Sequence, residues 1–224
     1  MFEELEQILG YKFNNIEFLE EALTHPSASF MRNARKINYE RLELLGDSIL
    51  SCVVVGYLFE AHENETEGEL SKRKALLVSK STLYKIAEGM NIGKYMILSS
   101  GEEINKGRTN INNLENVLEA IIGAIFLDSN FETVQSFILN IWRELDKQNE
   151  KAPTDPKTEL QEWTQKYYRE LPKYELVSSN GGVFSITLSV SGQDSLSSSG
   201  TSMKIIKNKL AEQMLENIKK HIDS

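Results

Sequence analysis

Hydrophobic residues change their period once along this chain, at a polar seam of residues 146–156 that carries two prolines. Before the seam, apolar residues recur at three- and four-residue spacing in segments 5–9, 18–23, 42–59, 76–87, 114–127 and 134–145. That is the pattern of helices burying one face, and no alternating strand pattern interrupts it. Beyond the seam, residues 158–168 read as a helix and residues 173–177 as a short strand. Phe184, Ile186, Leu188 and Val190 then alternate with Ser185, Thr187 and Ser189, the period of a half-buried antiparallel strand. Residues 195–201 can pair beside it, and Ile206, Leu210, Met214, Leu215 and Ile218 form the stripe of a last helix. The expected fold is an all-α helical bundle over residues 1–148, a linker over 149–155, and a small α+β domain of order α-β-β-β-α over 156–224.

The chain has 224 residues, 40% of them hydrophobic, enough for a real core. Its formal charge is −8, which argues against a nucleic-acid partner if taken as an average. Divided at the seam the sum changes meaning. Residues 1–151 carry 16 Lys and Arg against 24 Asp and Glu, whereas residues 152–224 carry nine of each. The acidity belongs to the helical part. One cysteine, Cys52, excludes an internal disulfide framework, and its apolar surroundings predict a buried core thiol. The apolar run at residues 49–59 is shorter than the ~20 residues of a membrane span, and the acidic N-terminus lacks the basic start of a signal peptide. A soluble, cytoplasmic protein without a membrane partner is expected.

Two helical segments place carboxylates against apolar sequence. Glu40, Glu43 and Asp47 stand at i, i+3 and i+7 and project from one helix face. Asn116 and Glu119 share a face at i, i+3. Each group taken alone fits a solvated face paired with Arg41 or a lysine. Partly buried in a bundle, the same acids need a partner or a metal, and oxygen ligands from facing helices suit Mg²⁺ or Mn²⁺. No Ser/His/Asp or Cys/His arrangement competes. Of three histidines, His25 precedes Pro26 and reads as structural, while His62 and His221 read as exposed. Gly46 in mid-helix costs about 1 kcal/mol relative to Ala and predicts a close helix approach.

The string Glu40-Arg41-Leu42-Glu43-Leu44-Leu45-Gly46-Asp47-Ser48 closely resembles the signature of ribonuclease III, a family of double-stranded-RNA endonucleases. Leu23-Thr24-His25-Pro26-Ser27, Glu67-Gly68-Glu69-Leu70-Ser71 and Leu118-Glu119-Ala120-Ile121-Ile122-Gly123 extend the resemblance over nearly the whole chain. It implies that Glu43, Asp47, Asn116 and Glu119 hold the metal, with Asp47 and Glu119 catalytic. It implies that Glu40 supports the acidic valley and a subunit contact. Asn116 departs from the aspartate most often found there, which implies weaker metal binding. Leu44 replaces a usual Phe as the apolar knob of a homodimer, and the resemblance places the close approach at Gly46 on that subunit interface.

The second domain resembles a double-stranded-RNA-binding domain, which reads A-form shape through 2′-hydroxyls and phosphates. Asp155-Pro156-Lys157-Thr158-Glu159-Leu160-Gln161-Glu162 matches the opening of its first helix. Gln161 and Glu162 are the matched RNA-facing positions, with Leu160 and Trp163 in the core. The loop expected over residues 178–183 lacks a Pro-His sequence, and Lys204, Lys207 and Lys209 are spaced rather than consecutive phosphate contacts. The implied function is metal-dependent cleavage of double-stranded RNA to 5′-phosphate and 3′-hydroxyl ends with a short 3′ overhang. Precursors of ribosomal RNA and structured messenger and transfer RNA are the implied substrates. The alternatives are a silent duplex-RNA-binding protein and a ribosome-associated structural protein. Acidity concentrated at the site also predicts RNA engagement that depends strongly on metal.

Overall fold

In a computed structural model the chain divides into two compact units, Met1–Pro153 and Thr154–Ser224. The structure describes residues 2–147 and 156–222, so the linker expected at 149–155 lies outside the described residues, as does the side chain of His221.

The first unit runs α1 (Phe2–Leu9), α2 (Ile16–Leu23), β1 (Phe30–Arg32), β2 (Arg35–Ile37), α3 (Glu40–Ala61), α4 (Glu67–Leu77), α5 (Lys80–Gly89), α6 (Ser100–Ile104), α7 (Ile111–Asp128) and α8 (Phe131–Lys147). It is helical as expected, although α6 and nearly all of α4 fall outside the expected helical segments, and two further differences stand out. The small antiparallel hairpin β1–β2 was not expected: each strand has three residues, too few to show a period, and Asn33 and Ala34 both take positive φ at its turn. The segment 76–87 is not one helix. It breaks at Val78, and Ser79 restarts it by accepting a hydrogen bond from Thr82 N.

α7 is the centre of the bundle: Val117, Leu118, Ala120, Ile121, Ile122, Ala124 and Ile125 are all completely buried. α3 packs along it through glycine. A Cβ on Gly46 would sit 1.7 Å from the Glu119 carbonyl oxygen, and one on Gly123 would sit 2.4 Å from that of Leu42. The close approach expected at Gly46 therefore lies within the chain, between α3 and α7, and not at a subunit interface. The apolar run at 49–59 belongs to a 22-residue helix that length and composition alone would let cross a membrane. Its packing against α7 accounts for part of that composition, through buried Ile49, Leu50, Val53, Val54 and Leu58.

Cys52 is exposed, contrary to expectation. α3 is apolar on more than its core side, and Leu44, Cys52, Val55 and Phe59 fall on the stripe turned away from α7. His62 is half-buried rather than exposed, with Nε2 2.7 Å from Asp146 Oδ2. Asp146, expected in the seam, is still in α8 and only 5% exposed. It also receives hydrogen bonds from Tyr57 Oη at 3.0 Å and Arg73 Nη1 at 3.2 Å. Arg73, 2% exposed, donates as well to both oxygens of Glu65 at 2.7 and 2.6 Å. His25 is structural as read: its Nδ1 accepts from Ser27 N at 3.0 Å, and its ring meets Tyr39 edge-on.

The second unit is α9 (Pro156–Tyr168), β3 (Lys173–Asn180), β4 (Val183–Ser189), β5 (Leu196–Gly200) and α10 (Met203–Ile222), with an antiparallel sheet of order β3-β4-β5. Leu160, Ile186, Leu188, Ile206, Leu210 and Met214 build its core, and Trp163 packs against it. The expected loop at 178–183 is shorter than read. β3 runs to Asn180, and only Gly181 and Gly182 turn the chain, both at positive φ. Paired glycines permit that two-residue turn, which a side chain would strain. On the opposite sheet face, hydroxyls pair across strands: Ser185 with Ser199, Thr187 with Ser197, Ser189 with Ser195.

Candidate active site

Glycine contact between α3 and α7 sets the acidic edge of one helix against the first half of the other. Glu40 opens α3, where its backbone N–H donates to Asn38 Oδ1 and its Oε2 accepts from Asn38 Nδ2 at 2.6 Å. Glu43 lies half-buried one turn on, and Asp47 stands exposed a turn further. From α7, Glu119 is 9% exposed. The Asn116 amide nitrogen donates to Tyr39 Oη at 3.5 Å.

These groups share one electrostatic field. Burial, followed by the charges of Asp47, Glu115 and Glu43, pushes the Glu119 carboxyl up to about 8. Burial also raises Glu43, followed by Glu115, Glu40 and Asp47. Tyr39 is raised by burial, and the nearby charges of Glu43, Glu40 and Glu102 push the same way. Lys80, at the start of α5, opposes the shifts of both Glu43 and Glu119.

Of the sequence-predicted residues, Asp47 and Glu43 act by charge on Glu119, Glu40 and Asp47 act on Glu43, and Asn116 stands three residues before Glu119 on α7. Sequence reasoning missed Glu115, Lys80 and Tyr39. The spacing of Glu115 four residues before Glu119 was the available signal. Among the described residues no three carboxylate, imidazole or thiol groups already stand together as a metal cage. The donor set nonetheless fits a hard divalent cation. Every member offers oxygen, the Glu119 carboxyl is pushed up to about 8 by burial and like charges, and the buried Glu115 Oε2 has an ion pair with Lys80 Nζ at 2.8 Å but no hydrogen bond.

In the second unit Gln161 and Glu162 are exposed on α9. Lys204 and Lys209 are exposed on α10, whereas Lys207 is half-buried with Nζ 5.6 Å from the Tyr174 ring centre. Lys204 and Lys207, three apart, share a helix face. Lys209 points to another, so the three expected lysines do not form one row.

A family model described as Ribonuclease-III-like matches residues 15–145, and one described as Double-stranded RNA binding motif matches residues 156–218. The chain is 45% identical over 222 residues to Ribonuclease 3 of Wolbachia pipientis from Culex pipiens, covering 96% of each chain. It is 38% identical over 226 residues to Ribonuclease 3 of Ehrlichia canis, covering 99% of this chain and 100% of that one. The solved nuclease domain of Campylobacter jejuni ribonuclease III superposes with a TM-score of 0.60 at 41% identity, over 64% of this chain and 97% of that one. Two helices locked at glycine, a shared cluster of acids and a following α-β-β-β-α unit agree with these matches, and the chain belongs to the ribonuclease III family of double-stranded-RNA endonucleases.

Proposed function

We propose that this endonuclease cuts duplex RNA with a divalent cation, Mg²⁺ or Mn²⁺, held by Glu43, Asp47, Asn116 and Glu119. The feature that carries the reading is the Glu119 carboxyl, 9% exposed and pushed up to about 8 by burial and by the charges of Asp47, Glu115 and Glu43. Such a group is costly unless a cation offsets it. A bound cation would supply the positive charge that stabilises phosphate oxygens and would acidify water for attack. The chain's own part is to fix the carboxylates: α3 and α7 hold them through backbone contact at Gly46 and Gly123. Asn38 orients Glu40, and Tyr39 orients Asn116. The products are 5′-phosphate and 3′-hydroxyl ends with a short 3′ overhang. The substrates are ribosomal RNA precursors and structured messenger and transfer RNA precursors in the cytoplasm.

Duplex RNA binds the second unit through Gln161 and Glu162 on α9 and through Lys204, Lys207 and Lys209 on α10, a sparse basic set. The enzyme works as a homodimer. Leu44 is 72% exposed on α3, beside a depression of 460 Å³ lined by Phe18, Leu42, Leu45 and Leu127, among others. That arrangement supports a knob and socket exchanged between two copies. The Campylobacter jejuni nuclease domain has likewise been solved with structural flexibility in a region involved in its dimer formation.

The test is cleavage of a defined RNA duplex with Mg²⁺ or Mn²⁺ supplied. Wild type is expected to cut, Glu119→Ala to lose cutting while still binding the duplex, and Asn116→Asp to cut at lower Mg²⁺. Wild type that binds duplex but cuts none under either ion would refute the metal-dependent reading in favour of a silent binder.

A further inference from the structure

Position 116 brings an amide to the acidic cluster, and an amide brings no charge. The residue before it does. Glu119 follows Glu115 by four residues and Asn116 by three, so at about 100° per residue its direction on α7 falls between theirs. Glu115 therefore flanks Glu119 on the side opposite Asn116. Its charge acts on both Glu119 and Glu43.

Glu115 is mostly buried, its side chain 15% exposed, and its sealed Oε2 lies 2.8 Å from Lys80 Nζ. The contact is an ion pair in which no hydrogen bond forms. Lys80 donates instead to Asn112 Oδ1 at 2.9 Å. Its side chain is 52% exposed, so it can return to water at little cost. Lys80 reaches Glu115 from a different helix, α5.

We propose that Glu115 is a further carboxylate of the cation site, supplying the charge that Asn116 lacks, and that Lys80 neutralises it until the cation arrives. Lys80 and the cation then compete for the same negative charge. The inference rests on the metal-dependent reading of the enzyme.

Mn²⁺ titration of the metal-free full chain, followed by calorimetry and by the resonance of free Mn²⁺, tests it without recourse to cleavage. Glu115→Gln is expected to weaken Mn²⁺ binding about tenfold, and adding Asn116→Asp to that variant is expected to recover most of the loss. Lys80→Met is expected to tighten binding. A merely structural ion pair would make Glu115→Gln and Lys80→Met shift affinity in the same direction, which overturns the proposal. So does unchanged affinity in Glu115→Gln when Glu119→Gln abolishes binding. Absence of Mn²⁺ binding by wild type would instead refute the metal-dependent reading, and this inference with it. Cooperative thermal unfolding of each variant checks that lost binding is not lost fold.

Discussion

Glu119 sits against Asp47, Glu115 and Glu43, and its carboxyl titrates at about 8 when folded, against an ordinary value of 4.5. Between those pH values the folded protein holds a proton that the unfolded chain has released. Stability therefore falls as pH rises through that window, and the full contribution is present only below about 4.5. Glutamine at 119 cannot ionise. Metal-free Glu119→Gln is expected to melt above wild type, by a margin small at pH 5 and larger at pH 9. Equal margins at both would show that the carboxyl is not raised. The acids were legible in the sequence through the nine-residue string that holds Glu40, Glu43 and Asp47, since each acidic group alone fits a solvated helix face. Cys52 was not, because α3 is apolar on several sides and composition does not say which side faces α7. Nor was the clasp of Arg73, Glu65, His62 and Asp146, because its members lie on three different elements.

Among the elements, α3 and α7 matter most, since Gly46 and Gly123 let their backbones touch. Gly46→Ala would place a methyl 1.7 Å from the Glu119 carbonyl oxygen, and backbone cannot rotate away as a side chain can. Overpacking of that kind is expected to cost about 3 kcal/mol or more, read as a lower urea midpoint. A variant that retained wild-type stability would show that the helices stand further apart. Long helices and the strand β4 were readable from period, which needs several repeats to register. β1 and β2 have three residues each and leave no such trace. The restart at Ser79 was hidden because apolar spacing continues across the break, although serine is a good helix opener. The expected loop between β3 and β4 shrank for a related reason: its serines and asparagine carry no hydrophobic alternation, yet they extend a strand that ends at two glycines.

For the whole molecule, the resemblance of the full chain settled what periodicity alone left open, since acids on helix faces are commonplace and a nine-residue signature is not. Period did separate two architectures, and the second bears a short basic set on a neutral unit. In the proposed homodimer the exposed stripe of α3 is covered. Phe59, 71% exposed, and Val55, 47% exposed, lie along it. Phe59→Glu is expected to shift sedimentation from dimer towards monomer with helical circular dichroism unchanged. A monomeric wild type, or a variant that stays dimeric, would move the interface elsewhere. The contact at Gly46 and Gly123 bears on this catalytic machine in one more way. Two helix backbones already at their closest separation cannot be drawn nearer, whatever ion enters. In the proposed cation site, accommodation of a smaller or larger ionic radius would be left to the rotamers of Glu43, Asp47, Glu115 and Glu119. Longer glutamates reach further and bend more readily than a short aspartate, so in that proposed site discrimination between ions of different size would reside in side-chain length, against two helix backbones that cannot close further.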